Sequence, residues 1–152
     1  NRIPYGVDLI QKYKRESWIV FTENKKQAKE FNKIINIKGF KSALYNTDLD
    51  SLERLENLNK FKKADLNVLV TCTALDEGFD MPEADGALIL SASSSKRQRV
   101  QRMGRVLRIT ENKPNALIVT VYSSKTEFDK LMEEAKRYHK EGVPVSWKRQ
   151  DR

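Results

Sequence analysis

Apolar positions along the chain switch between helical spacing and unbroken short runs, and the switches mark out alternating helices and strands. Val7, Leu9, Ile10 and Tyr13 predict a short amphipathic helix ending in Lys14-Arg15. Trp18 to Thr22 is a continuous apolar run with β-branched residues, the pattern of a buried strand. Lys25 to Ile37 follows as a helix, with Ala28, Phe31, Ile34 and Ile35 on one face and Gly39 as its C-terminal cap. Ser42 to Tyr45 reads as a second strand. Asp50-Ser51-Leu52-Glu53 has the form of a capping box and opens a helix running to about Lys63. Asn67 to Thr71 is a third strand and Gly86 to Leu90 a fourth. Val100, Met103, Val106 and Leu107 recur at helical spacing, Ala116 to Tyr122 is a fifth strand, and Glu127 to Lys140 closes with a helix carrying Phe128, Leu131, Met132 and Ala135.

Strands that are apolar throughout and alternate with helices imply an α/β fold, a mainly parallel sheet with helices on both faces. Ligands of such sheets gather at the carboxyl ends of the strands. That rule picks out Asn24-Lys25, Tyr45 to Thr47, Thr71 to Asp80 and Ser91 to Ser95 as one functional edge. No internal repeat or low-complexity segment interrupts the pattern. The 152 residues are read as one domain, 1–152, large enough for a full core. The tail Val143 to Arg152, with Pro144 and Trp147, is expected to be loosely held or to belong to a neighbouring lobe. Because the sequence opens on Asn1 and not Met, it is expected to be part of a longer protein.

Charge changes this picture more than bulk composition does. The formal net charge is +8 and the pI about 9.6, an excess that favours polyanionic partners such as nucleic acid. No apolar run reaches the length of a membrane span. One cysteine, Cys72, permits no internal disulfide and fits a reducing cytosol, so a cytoplasmic, nucleoid or nuclear location is expected. His139 has no metal-ligand company and is read as a surface residue; no metal site is expected.

The cations concentrate between Lys96 and Arg108, where six of thirteen residues are Lys or Arg. On a helix, Arg105 and Arg108 project from neighbouring positions of one face. Two planar guanidinium forks side by side suit a phosphate group, although a solvated basic helix produces the same spacing. At Thr22-Glu23-Asn24-Lys25-Lys26 a strand gives way to a helix. Asn24 is either an ordinary N-cap there or part of an anion site built from free helix amides. A third stretch, Val68 to Pro82, runs from a strand through hydroxyls to Gly78, Asp80 and Pro82. Gly78 allows a tight turn and Pro82 forbids continued helix.

Two of these stretches carry a resemblance. Gln101-Arg102-Met103-Gly104-Arg105-Val106-Leu107-Arg108 resembles the last signature motif of the superfamily 2 helicases and translocases, Gln-Arg-x-Gly-Arg-x-x-Arg. Ala74-Leu75-Asp76-Glu77-Gly78-Phe79-Asp80-Met81-Pro82 resembles the fifth motif of the same superfamily, and the strand-to-helix junction at Asn24 resembles its backbone-contacting motif. The resemblance spans residues 16 to 122. It implies a three-layer RecA-like domain, the C-terminal lobe of a two-lobe motor. The run from Arg97 to Arg108 is most similar to DNA repair and transcription helicases and to phage or restriction-type motors. It is less similar to the RNA helicases that carry His where this chain has Gln101.

By that resemblance Arg105 and Arg108 are arginine fingers, while Gly78, Asp80 and Gln101 face the nucleotide. Asn24, Lys25, Thr71 and Thr73 would contact the nucleic-acid backbone. Many members have Thr where this chain has Cys72, which leaves the phosphate hydroxyl to Thr71 or Thr73. The chain lacks a Gly-x-x-x-x-Gly-Lys-Ser/Thr loop and a strand-end acidic pair for magnesium, both of which a phosphoryl-transfer motor needs. ATP and Mg2+ are therefore expected on an N-terminal RecA-like lobe of the same protein, and this chain alone is not expected to turn over ATP. DNA is the expected track. An RNA-directed helicase lobe and a passive nucleic-acid-binding module without ATP dependence are the alternatives. A dinucleotide-binding domain lacks its Gly-x-Gly-x-x-Gly turn.

Overall fold

A computed structural model describes residues 2–13, 16–46, 49–72, 84–90, 117–121 and 125–140. Contacts group the chain into two units, 1–121 and 122–152. The first holds α1 (Arg2–Lys12), β1 (Trp18–Phe21), α2 (Lys25–Ile37), β2 (Ser42–Leu44), α3 (Ser51–Lys62), β3 (Val68–Thr71), β4 (Gly86–Ile89) and β5 (Leu117–Thr120). The second contains α4 (Lys125–Lys140), where Leu131 is buried and Met132, predicted on the apolar face, stands 36% exposed. The predicted arginine helix and the tail from Val143 lie outside the described residues.

The five strands form one sheet in the order β2-β3-β1-β4-β5, every pair parallel. β1, β3 and β4 are buried at every position, as their unbroken apolar runs predict. Successive side chains of these strands serve opposite faces. On one face Trp18, Val20, Val68, Val70, Leu88 and Leu90 meet α1 and α2 through Ile3, Val7, Ile10, Ala28, Phe31 and Ile35. On the other, Ile19, Phe21, Leu69, Ala87 and Ile89 meet α3 through Leu58 and Phe61. Helices on both sides of a parallel sheet make the three-layer architecture expected from the sequence.

Gly86 stands opposite Trp18 in the β1–β4 register. A Cβ there would lie 2.7 Å from the Trp18 ring, so the indole occupies the space that a side chain on β4 would need. α1 begins five residues earlier than its predicted Val7 start. Pro4 falls in the first turn, where its missing N–H costs nothing. Gly6 lies against Phe31 and Leu88, and its lack of a side chain lets α1 approach the sheet.

Two Asn side chains close the outer margin of β2. Asn36 on α2 accepts from the Ser42 N–H at 3.3 Å and donates to the Ser42 carbonyl at 3.5 Å. Asn57 on α3 donates to the Leu44 carbonyl at 2.8 Å. The Ser42 hydroxyl is held by Asn32 Oδ1 at 2.6 Å. The Ser42 N–H, the Ser42 carbonyl and the Leu44 carbonyl, which would otherwise help to template another strand, are thus occupied from within.

α2 and α3 end in the same hydrogen-bond pattern with different residues in the left-handed slot. After α2, Phe40 N bonds Ile35 O and Gly39 N bonds Asn36 O, with Gly39 at φ +96°, the predicted cap. After α3, Asp65 N bonds Lys60 O and Ala64 N bonds Phe61 O, with Ala64 at φ +64°. A Cβ in that region is disfavoured by roughly 1–2 kcal/mol. Ala64→Gly is therefore expected to stabilise the fold by about 0.5–1 kcal/mol, less than the full strain because glycine gains unfolded-state entropy. Urea denaturation of both proteins measures this, and a lower midpoint for the glycine variant would contradict it.

Candidate functional site

Parallel strands in register bring their carboxyl ends to one edge. Phe21 is level with both Thr71 and Ile89, and Leu44 with Val70. Immediately beyond lie Thr22, Tyr45, Asn46, Cys72 and Leu90, the residues through which the chain leaves the sheet. Tyr45 N donates to Val70 O at 2.8 Å and Leu90 N to Phe21 O at 2.8 Å, so pairing persists to the rim.

One peptide at this rim is held from both sides. The Thr71 carbonyl accepts the Thr22 N–H at 2.9 Å and the Thr22 hydroxyl at 3.3 Å. The N–H of the next residue, Cys72, donates to Asn46 Oδ1 at 3.2 Å. Thr22, Asn46, Thr71 and Cys72 are all buried, the most exposed of them at 8%. The Asn24 carbonyl lies 3.2 Å from the Thr22 hydroxyl, so that group's single proton is shared between the β3 exit and the start of α2.

At that start, Asn24 is an N-cap with extended backbone, its Oδ1 accepting from Gln27 N at 2.9 Å. Gln27 Oε1 in turn accepts from Glu23 N at 2.8 Å, closing a reciprocal clasp around the first turn. Asn24, Lys25 and Lys26 are exposed. By helix geometry the amides of Lys25 and Lys26 have no intrahelical acceptor. The first turn carries two ammonium groups and no acid, although the positive end of the helix dipole disfavours cations. An anion would relieve both charges at once.

The structure thus brings together Asn24, Lys25 and Thr71 of the predicted site residues. Thr71 is fully buried on β3, and its carbonyl is committed to Thr22. Thr73, Gly78, Asp80, Gln101, Arg105 and Arg108 lie outside the described residues, as do Thr47 and Ser91 to Ser95 of the predicted edge. Among the described residues no group of three or more His, Cys, Asp or Glu is placed to hold a metal ion. Asn46 falls within the predicted edge segment Tyr45 to Thr47, but sequence reasoning assigned it no role of its own, because a polar residue directly after a strand reads as ordinary loop.

With the fold and this edge established, comparison with known proteins decides the family. The model of the helicase conserved C-terminal domain matches residues 2–110. The chain is the C-terminal lobe of a superfamily 2 helicase. It is 36% identical over 119 residues to the DNA 3'-5' translocase XPB2 of Sulfurisphaera tokodaii, covering 78% of this chain and 26% of that protein. It is 26% identical over 118 residues to the ATP-dependent rRNA helicase RRP3 of Scheffersomyces stipitis, covering 78% of this chain and 24% of that protein. The lobe therefore spans about a quarter of the length of these relatives. The C-terminal domain of the DEAD-box protein Dbp5 shares the fold, with a TM-score of 0.76 at 20% identity over 91% of this chain and 79% of that one.

The helicase lobe depends on Asn24 for the order of the α2 start. Asn24→Ala is expected to lower stability by about 1 kcal/mol, while Asn24→Asp, which keeps the acceptor, changes it by less. Denaturant midpoints of the three proteins test this; equal loss in both variants would remove the cap as the cause.

Proposed function

We propose that this lobe is the second half of an ATP-dependent motor that tracks along nucleic acid. In this reading it supplies positive charge to a nucleotide held mainly by an N-terminal RecA-like lobe of the same protein. The observation that carries the reading is the convergence at one sheet edge of the α2 N-terminus, Lys25 and the clamped exit of β3. That exit leads into the segment bearing Gly78 and Asp80, and from β4 the chain runs on to Gln101, Arg105 and Arg108.

Arg105 and Arg108 act as arginine fingers, two guanidinium groups placed against the γ-phosphate where charge spreads in the transition state. Gly78, Asp80 and Gln101 face the nucleotide and relay its state to the lobe interface. When bound, ATP with Mg2+ supplies the phosphoryl group and the neutralising metal. Asn24 and Lys25 hold one phosphate of the tracked strand at the helix N-terminus, with Asn24 Oδ1 remaining the cap while backbone amides face the anion. Because Thr71 is closed to solvent, the hydroxyl contact falls to Thr73, and Thr71 serves through its backbone. DNA is favoured as the track by the greater identity to a DNA translocase than to an rRNA helicase, together with Gln101.

In the full-length protein, Arg105→Ala and Arg108→Ala are each expected to reduce nucleic-acid-stimulated ATP turnover on the order of 10³-fold or more. Oligonucleotide binding should stay within about twofold, since phosphate contacts of the track are elsewhere. Stimulated turnover retained in both variants would remove the finger assignment. Salt-sensitive binding by a wild-type protein that never hydrolyses ATP would favour a passive binding module. Stimulation by RNA strands over DNA would reassign the track.

A further inference from the structure

We propose that Asn46 is a positioning residue for nucleic-acid engagement, acting through the Cys72 amide on the segment that leaves β3. The inference rests on the motor reading above. In a parallel ladder continued past Tyr45 N→Val70 O, the next rung would run from the Cys72 N–H to the Tyr45 carbonyl. The Asn46 side chain takes that rung instead, its Oδ1 accepting from Cys72 at 3.2 Å across 26 residues of sequence. The sheet's last β2–β3 bond is therefore made by a side chain.

The consequence falls on one peptide group. Thr22 fixes the carbonyl of Thr71 and Asn46 fixes the N–H of Cys72, so the plane of the Thr71–Cys72 peptide is set from both neighbouring strands. That plane fixes the N–Cα bond of Cys72, from which the chain continues to Thr73, the hydroxyl that the motor reading assigns to a phosphate. A hydroxyl meant for a phosphate needs placement to within a fraction of an ångström, which supporting hydrogen bonds must supply.

The other half of the amide argues that the position uses the carbonyl and not mere bulk. Asn46 is fully buried, and its Nδ2 has no hydrogen-bond partner among the described residues. A buried donor left unmade is costly, and an apolar side chain filling the same space would avoid that cost. The cost is borne at the one side chain that reaches the Cys72 amide.

The test uses the full-length protein, with ATP turnover measured against increasing single-stranded oligonucleotide. Asn46→Ala is expected to raise the half-saturating oligonucleotide concentration roughly fivefold to tenfold, the scale of one lost buried hydrogen bond. Turnover without oligonucleotide, and its KM for ATP, should stay unchanged. Asn46→Asp keeps an acceptor at the same reach but brings a carboxyl into a fully buried position, so it should recover part of the loss. Loss of basal and stimulated turnover together, in proportion to the folded fraction, would make Asn46 structural only and overturn the proposal. Should the alanine variant fail to fold, amide exchange at Cys72 in the wild type decides. Slower exchange on adding oligonucleotide supports the proposal, and unchanged exchange overturns it. Failure of the motor reading shows separately, as a wild-type protein that no oligonucleotide stimulates.

Discussion

Burial of the sheet on both faces is the constraint from which the rest of this lobe follows. β1, β3 and β4 have no solvent-facing side, so their backbone polar groups must be satisfied along the sheet and their side chains are apolar up to Thr71 at the rim. Chemistry is thereby expelled from the strands to their ends. Parallel register places those ends on one level, and residues distant in sequence become neighbours without any of them being special in isolation. Asn24, Asn46 and Cys72 meet at that rim because Phe21 and Thr71 are in register and Leu44 pairs with Val70 one rung below.

Polar side chains at the rim replace backbone where backbone pairing stops. Asn24 ends the exposed amides of α2, Asn46 supplies a missing rung beside β3, and Asn36 and Asn57 cover the outside of β2. Carboxamides suit these places because either half of the group can meet a backbone partner, the oxygen accepting at Asn24 and Asn46, the nitrogen donating at Asn57 and both at Asn36, without bringing charge into a low-dielectric region. Charge is kept outward, on Lys25 and Lys26, where solvent screens it until an anion arrives.

Most of the fold was legible in the sequence because unbroken apolar runs have one stable home in an α/β chain. Trp18 to Phe21 and Val68 to Thr71 were found within a residue of their ends, and Asn24 and Asp50 were recognisable as caps from their spacing to the helical stripe. α1 was read too short because Pro4 and Gly6 ordinarily end helices, whereas first-turn geometry and contact with Phe31 make them acceptable. The left-handed Ala64 left no trace, since alanine carries no preference for that slot. Asn46 was placed on the functional edge by the strand-end rule, but its role was not legible, for a different reason. Its role depends on where Cys72 arrives, and sequence pattern reports periodicity along a chain, not the meeting of two strand exits.

The covered margin of β2 has a bearing on how such a lobe lives beside others. A sheet edge with free amides and carbonyls adheres to any extended segment that comes near, and separation then means breaking several hydrogen bonds together. With the Ser42 N–H and carbonyl engaged by Asn36 and the Leu44 carbonyl by Asn57, that flank offers an extended segment few groups to hold. A segment that came to rest against it would gain few hydrogen bonds and so would have few to break on leaving.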